Sequence, residues 1–432
     1  MTLTRLTFMR AALAALLLAC LIAAASPAAA QKEWVVHSFA RDGSQGTLPF
    51  GKLVADSAGN LYGETNLGGA YNNGTVYEMV RPVPPKTAWT ETVLYSFTGG
   101  GDGRIPFGGL VFDDVGNLYG ATGGGCFSGC GVVFELSPPI TAGSPWTESV
   151  LHSFSGAGNG DGSTPGGALI RDGSGNLYGV TGSGSAEQNS PCNLGCGTVF
   201  QLSPPTTSGG VWKEAILHSF TLNQQNSESP LVLDSQGDLY GSAGGGEFKN
   251  GVVYRLLRPA TAGGTWSYKV LHTFGPITTG SPEGANPVGS LTLHGKRVLY
   301  GTTHAGGLYG EGNLYQLVPP TVAGNAWTEN MLYSFGSGAS DGAFPLGNVI
   351  FDSAGNIYGT TAGPDAGAVF ELTPPASDGL PWTETTLHSF KPQDKGGSAP
   401  GGGLIFGKNG VLFGVASEGG TGDRGAVFGL LP

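Results

Sequence analysis

Short apolar segments alternate with turn residues along the whole chain after residue 30, and they recur in a fixed order. The last segment of each unit has the form W-T-E-x-x-L-H-S-F, and its final Phe recurs at intervals of 54 to 66 residues. The seven phenylalanines are Phe39, Phe97, Phe154, Phe220, Phe274, Phe335 and Phe390. Each full unit has four such segments, rich in aromatic and β-branched residues and bounded by Gly, Pro or Asn. This pattern predicts four β-strands per unit.

The strands of one unit, here named A to D in chain order, are separated by recognisable turns. In the second unit they are predicted at 109–113, 117–122, 131–136 and 146–154. Asp-Ser-Ala-Gly-Asn at 56–60 and 352–356 predicts the A–B turn, because Asp caps such a turn and Gly accepts a positive φ. The B–C turn is Gly-rich, and Pro pairs stop strand C. No segment after residue 30 has a helical period.

Seven repeats of four antiparallel strands predict an all-β, seven-bladed β-propeller. A β-helix is the rival fold, but its coils are typically shorter and need fewer turns. The chain opens with a D strand, Glu33 to Phe39, and closes with A, B and C strands at 403–406, 411–415 and 426–430. We therefore predict that the N-terminal strand completes blade seven, which removes the free edge of an open stack. Residues 31–432 then form one domain.

Two residue types recur in strand D at positions that indicate packing. Six tryptophans lie eight residues before the Phe, and we expect them to pack between blades: Trp89, Trp146, Trp212, Trp266, Trp327 and Trp382. Histidines lie two residues before the Phe in five blades: His37, His152, His218, His272 and His388. Tyr95 and Tyr333 replace them in the other two. A position that accepts Tyr indicates packing rather than metal ligation.

The first 30 residues have the features of an export signal. Arg5 and Arg10 precede an apolar run, Ala11 to Ala25, and Ala28-Ala29-Ala30 offers a cleavage site. The run is shorter than the ~20 residues that span a bilayer. We expect a secreted, periplasmic or cell-surface protein, with a lipid on Cys20 as the alternative. The chain shows no second hydrophobic segment, so we expect no integral membrane segment after cleavage.

Charge and cysteine content narrow the class of protein further. The net charge of −11 at pH 7 disfavours nucleic acid and anionic lipid surfaces. The chain is glycine-rich, with 78 glycines, and we expect a monomer. Export favours two disulfides in the C-x-x-x-C pairs, Cys126 with Cys130 and Cys192 with Cys196. The alternative is a four-cysteine zinc site that joins adjacent units.

The repeated motifs resemble those of a bacterial family. G-N-L-Y-G at 59–63, 116–120 and 175–179, and G-x-V-F-E-L at 131–136 and 367–372, are similar to the repeats of GloVer proteins. The L-H-S-F segments at 151–154, 217–220 and 387–390 complete the resemblance, which covers residues 33–432. The family implies exported, propeller-like repeats with differing surface anchors. It implies no reaction and no catalytic residues.

Candidate ligand-binding residues lie in two sets of loops. In a propeller the D–A and B–C connections share one face, and loops fixed by a scaffold often carry function. Each D–A loop contains an acidic residue: Asp42, Asp102, Asp161, Glu228, Glu283, Asp341 and Asp394. One interpretation is that these residues form acidic-Gly turns before a Pro. The other is a ring of carboxylates that binds calcium or a cationic or polyol ligand. The B–C loops add Tyr71, His304 and Tyr309 as candidates.

No motif for nucleophilic, zinc-hydrolase or phosphate chemistry emerges from the sequence. We therefore expect a non-catalytic exported propeller that binds a polysaccharide or a protein on this loop face, without a cofactor or with calcium. The first alternative is a glycosidase or polysaccharide lyase that uses carboxylates of the same face. The second is a structural surface or adhesion protein. The fold does not choose between them, since function resides in a site.

Overall fold

The chain forms seven sheets of four antiparallel strands, arranged in a ring around a central channel. This confirms the predicted seven-bladed propeller. The computed structural model describes residues 32–432 except 41, 125–129, 142, 157–159, 185–195, 208, 222–228, 262, 279, 296, 323, 339–340, 378 and 393–394.

Blades one to four follow each other along the chain in the order A, B, C, D. Blade one consists of Thr47–Ala55, Leu61–Leu67, Thr75–Val80 and Thr90–Ser96. Blade two consists of Arg104–Pro106 with Val111–Phe112, then Leu118–Gly124, Val132–Ser137 and Thr147–Ser153. Blade three consists of Ser163–Arg171, Leu177–Ser183, Thr198–Ser203 and Lys213–Ser219. Blade four consists of Val232–Leu233, Leu239–Ala243, Val252–Leu257 and Ser267–Thr273.

Blades five to seven repeat this order, with small additions in blades five and seven. Blade five consists of Thr292–His294, Val298–Thr303, Asn313–Val318 and Thr328–Ser334, plus a short pair, Gly284–Ala285 with Ala305–Gly306. Blade six consists of Ala343–Phe351, Ile357–Gly363, Ala368–Thr373 and Thr383–Ser389. Blade seven consists of Ile405–Phe406, Leu412–Ala416, Ala426–Leu431 and the N-terminal Lys32–Ser38. The single helical element among the described residues is a 3₁₀ turn, Lys408–Gly410.

The first strand closes the ring as the outer strand of blade seven. Lys32–Ser38 pairs antiparallel with Ala426–Leu431, with Lys32 opposite Leu431 and Ser38 opposite Ala426. Its register shifts between Val35 and His37. Strand D of blade two has the same irregularity between Val150 and His152. The N-terminal strand therefore has the geometry of an ordinary strand D, as the offset of the first motif predicted.

The core consists of seven aromatic clusters that lie between neighbouring blades. The Phe that ends each strand D packs against an aromatic ring of strand C in the next blade, as Phe97 does edge-on against Phe134 with centroids 5.1 Å apart. A Cβ on Gly120 would lie 2.5 Å from Cζ of that Phe134 ring. The last Gly of G-N-L-Y-G is thus required by the ring that lies over it.

The strand-D tryptophans pack between blades, which confirms the prediction for them. Each lies partly buried against the cluster between its own blade and the preceding one. Trp212 of blade three, for example, contacts Tyr119 of blade two edge-on at 6.1 Å. Trp34, which is out of this register, contacts Phe413 within blade seven at 6.3 Å.

A recurrent backbone contact explains the proline that follows each D–A loop. Thr164, which precedes Pro165, has φ 52° and donates its N–H to the carbonyl of Cys130 in the previous blade at 2.8 Å. The left-handed conformation is costly for a residue with a side chain, so the contact with the neighbouring blade must hold it. A Cβ on Gly131 would lie 2.5 Å from Cδ of Pro165. The same bond is donated by Leu48, Ile105, Asn286, Phe344 and Ala399.

The structure also confirms the predicted A–B turns, which lie on the face opposite the D–A and B–C loops. The Asp56 carboxylate accepts hydrogen bonds from the N–H groups of Gly59 at 2.7 Å and Asn60 at 2.9 Å. Gly59 has φ 91°. Asp113, Asp172 and Asp352 hold equivalent turns. These aspartates cap turns, because their oxygens are used by the turn itself.

Candidate ligand-binding face

The acidic side chains of the D–A loops accept hydrogen bonds from the end of strand D and the start of the loop. The Asp102 carboxylate accepts hydrogen bonds from the Thr98 N–H at 2.7 Å and the Tyr95 hydroxyl at 3.0 Å. The Asp341 carboxylate accepts from the Ser337 N–H at 2.7 Å, and Glu283 accepts from the Gly275 N–H at 3.1 Å. These partners lie at or just after the end of strand D, the outermost strand of the blade. A ligand-binding role for these carboxylates stays a prediction.

Asp42 and Asp161 complete the acidic positions that the structure describes. The Asp42 carboxylate accepts from the N–H and hydroxyl of Ser44 at 3.0 and 2.8 Å, and these bonds lower its pKa. The Asp161 carboxylate contacts His152 at 3.2 Å and is also held by Ser155. These hydrogen bonds hold the pKa of Asp161 below its usual range although burial raises it.

A second set of carboxylates, in the W-T-E segment of strand D, was not singled out from the sequence. Their side chains are half-buried near the preceding blade, and burial raises the pKa of Glu91, Glu148, Glu214 and Glu329 to about 7. The signal in the sequence was the Glu two residues after five of the six strand-D tryptophans; Tyr268 stands there after Trp266. The sequence alone does not place this Glu between two blades, because that requires knowing how neighbouring blades contact each other.

One turn geometry recurs in the B–C loops of blades one, four and five. In each, a backbone hydrogen bond closes a four-residue turn: Asn72 to Gly69 at 3.3 Å, Lys249 to Gly246 at 3.2 Å, and Gly310 to Gly307 at 3.3 Å. The donor residue has positive φ in all three turns, between 57° and 88°. The third residue of each turn therefore points away from the sheet, into the solvent.

That third residue is aromatic in these three blades, whereas the same turn in blade seven, closed from Asp423 to Gly420 at 3.2 Å, has Gly422 there. Tyr71 is 59% exposed, Phe248 is 44% exposed and Tyr309 is 53% exposed. The sequence predicted Tyr71 and Tyr309 as candidates but missed Phe248. The missing signal was spacing, because each of the three stands three residues before the Gly that precedes strand C. Large aromatic side chains are thus exposed at equivalent positions in three blades.

His304 lies where the B–C loop of blade five meets the channel. Its ring is tilted against Phe344 of blade six, with centroids 5.1 Å apart, and it lines the central cavity. Its Nδ1 is buried and has no hydrogen-bond partner among the described residues. His304 is thus in a different place from the exposed aromatics, at the inner rim of the same face.

The central channel encloses a cavity of about 1350 Å³. Each blade contributes residues in or just before strand A to its wall, which is mostly apolar and includes the stacked rings of Phe50 and Phe107, 4.6 Å apart. Lys52 also lines this wall, and burial lowers its pKa below the usual range. The channel is therefore a roomy, largely apolar cavity with one desolvated amine.

Several predictions fall on residues that the structure does not describe. The acidic residues Glu228 and Asp394 are among them, as are Cys126, Cys192 and the proposed export signal. Cys130 and Cys196 are described and buried. The two disulfides, cleavage of residues 1–30 and secretion therefore stay predictions. In the described part of the chain, no helix has both the length and the apolar character needed to span a bilayer.

The fold and the repeats define the class of protein as a seven-bladed propeller built from one tandem motif. The chain belongs to the Gloeobacter/Verrucomicrobia repeat family, whose model matches residues 24–208 and 188–428. This confirms the resemblance to GloVer proteins. A search of curated protein sequences finds no match.

Two solved structures are similar to this chain at low sequence identity. One, described as a "putative gluconolactonase", has 13% identity and a TM-score of 0.40, and covers 77% of this chain and 90% of its own. The other, described as a "putative oxidoreductase (glucose dehydrogenase)" from Thermus thermophilus, has 16% identity and a TM-score of 0.45. It covers 93% of this chain and 100% of its own. At this level of similarity neither supports an inference about ligand or reaction.

Proposed function

We propose that this propeller is an exported protein that binds a neutral polysaccharide across the face bearing its D–A and B–C loops. The observation that carries the proposal is the repeated B–C turn, which exposes Tyr71, Phe248 and Tyr309 in three blades. An aromatic ring offers a flat apolar face, and Tyr adds a hydroxyl that can hydrogen-bond. Sugar rings have flat C–H faces edged by hydroxyls, so they match such side chains.

The arrangement favours a polymer over a small sugar. Blades four and five are neighbours in the ring, whereas blade one is separated from blade five by two blades. A ligand that touches all three aromatics must therefore extend across the ring. Neutral chains are favoured over anionic ones because the net charge of −11 repels polyanions.

A glycan-binding screen with a chemical readout tests the proposal. The mature protein is incubated with immobilised neutral and anionic polysaccharides, and bound protein, reducing ends and unsaturated products are measured together. We expect retention on at least one neutral polymer without new ends or products. Release of reducing ends or unsaturated products would instead establish the glycosidase or lyase. Absence of binding to every polysaccharide would contradict the proposal and favour a protein ligand or an adhesion role.

A further inference from the structure

The contact between blades two and three brings together a histidine and two carboxylates. His152 ends strand D of blade two, Asp161 lies in the loop that follows, and Glu214 lies in strand D of blade three. His152 Nε2 is 3.2 Å from Asp161 Oδ1 and 3.7 Å from Glu214 Oε1. We propose that these three residues bind one divalent transition-metal ion of the Zn²⁺ class.

The two separations from His152 Nε2 are close to those of tetrahedral coordination. Zinc binds imidazole nitrogen and carboxylate oxygen at about 2.0–2.2 Å, which places two ligands of a tetrahedron roughly 3.3–3.6 Å apart. The two measured separations, 3.2 and 3.7 Å, lie on either side of that range. All three ligand atoms lie within 4.8 Å of one another, and the described residues contain no other group of three His, Cys, Asp or Glu that does.

The two carboxylates, of Asp161 and Glu214, differ in their hydrogen bonding. The second oxygen of Asp161 accepts hydrogen bonds from the N–H of Ser155 at 2.7 Å and from its hydroxyl at 2.5 Å. These bonds leave Oδ1 directed at His152, as outer-shell partners do for metal ligands. Glu214 Oε1 is buried and has no hydrogen-bond partner among the described residues, as is true of the equivalent Oε1 atoms of Glu91, Glu148 and Glu329. Of these four, Glu214 is the one with a histidine nitrogen within 4 Å among the described residues. A buried oxygen without a partner is costly, and a cation at this point would remove that cost.

The ligand types select the class of metal. One imidazole with two carboxylates suits zinc and related transition metals, whereas calcium takes six to eight oxygen ligands. The three side chains are 16–19% exposed. A water molecule can therefore reach the site and provide a fourth ligand.

Equivalent positions in other blades lack part of this set, which supplies natural controls. Tyr95 replaces the histidine in blade one and hydrogen-bonds the loop residue Asp102 at 3.0 Å. Tyr333 replaces it in blade five. His152→Tyr therefore introduces a residue that the repeat already accommodates. His272→Tyr makes the same change in blade four, at a histidine outside the proposed site.

The test is equilibrium dialysis and thermal melting of the full chain, first stripped with a chelator and then exposed to Zn²⁺ or Ca²⁺. We expect one Zn²⁺ bound per chain and a higher Tm with Zn²⁺, but no such rise with Ca²⁺. H152Y should lose both effects, and H272Y should keep them. Glu214→Gln, which keeps the shape of the side chain, should weaken Zn²⁺ binding at least about tenfold.

Three results would overturn the proposal. The first is a wild-type chain that binds no Zn²⁺. The second is an H152Y variant that binds Zn²⁺ as well as wild type, which would place the ion elsewhere, including at the cysteines. The third is Ca²⁺ binding equal to Zn²⁺ binding. The Tm of each variant without metal shows whether it folds. If H152Y does not fold, the Zn²⁺ affinity of E214Q decides the test.

Discussion

The backbone N–H of Phe39 donates a hydrogen bond to the carbonyl oxygen of Gly425 at 3.1 Å, and so joins the first strand of the chain to the last. Phe97 donates the same bond to Gly74 at 3.1 Å inside blade one. The Phe39 ring lies edge-on to Tyr77 at 5.2 Å, much as Phe97 lies to Phe134. The closing interface is thus built like an interface within the continuous chain.

Phe39→Ala and Phe97→Ala should therefore lower stability by similar amounts. Both side chains are fully buried, and truncation of a buried Phe typically costs about 3–5 kcal/mol. Thermal melting of the two variants beside wild type measures this. If F97A lowers Tm while F39A leaves it unchanged, the N-terminal strand does not close the ring.

Trp212→Ala should destabilise the protein through the contact between blades two and three. Trp212 is partly buried and packs on Tyr119, so we expect a loss near the lower end of the range for large truncations, about 3 kcal/mol. Val211→Ala is the matched control, because Val211 is 87% exposed and should change stability by less than about 0.5 kcal/mol. Equal Tm values for the two variants would show that Trp212 does not stabilise this contact.

Glu64 should make stability depend on pH. Its side chain is buried in blade one and accepts a hydrogen bond from the Gly109 N–H at 2.9 Å, but burial raises its pKa to about 8. Between pH 4.5 and 8 the folded state thus holds a proton that the unfolded state releases, and stability falls as pH rises through this window.

Glu64→Gln removes that titration and nearly keeps the shape. The Tm of the variant relative to wild type should therefore increase from pH 5 to pH 8, by at least about 2 °C, the change that ~1 kcal/mol produces in a sizeable domain. Exposed Glu247 supplies the control variant, Glu247→Gln, whose Tm should track wild type. A constant difference between E64Q and wild type at all pH values would refute a buried, protonated Glu64.

Much of the fold could be predicted from the sequence because its determinants are local. The Phe spacing gives the number of blades, the A–B turn residues give the hairpins, and the early Glu33 to Phe39 motif gives the ring closure. The hydrogen bond from Thr164 to Cys130 could not be predicted in this way. It depends on a left-handed residue held by the neighbouring blade, and propensity disfavours that conformation.

The candidate sites were harder to predict because they depend on contacts between blades and on loop direction. His152 was interpreted as a packed residue, and its ring does lie edge-on to Phe154 at 4.7 Å. Its contact with Glu214 joins two strands that are far apart in sequence, so spacing alone could not reveal it. Phe248 was missed because a loop residue is recognised as exposed only once the turn that directs it is known.

The most direct test of the proposed function compares the affinity of a triple variant with that of the wild-type protein. The ligand is the polysaccharide that the wild-type protein binds in the screen. Tyr71, Phe248 and Tyr309 are changed together to Ala. The control changes Ile140, Val322 and Leu380, which are 56–106% exposed but lie in C–D loops on the opposite face. We expect Kd to rise at least about tenfold for the first variant, since each aromatic contact contributes about 0.5–1.5 kcal/mol. The control should bind like wild type. Unchanged affinity of the aromatic variant, or equal losses in both, would contradict ligand binding through these three loops.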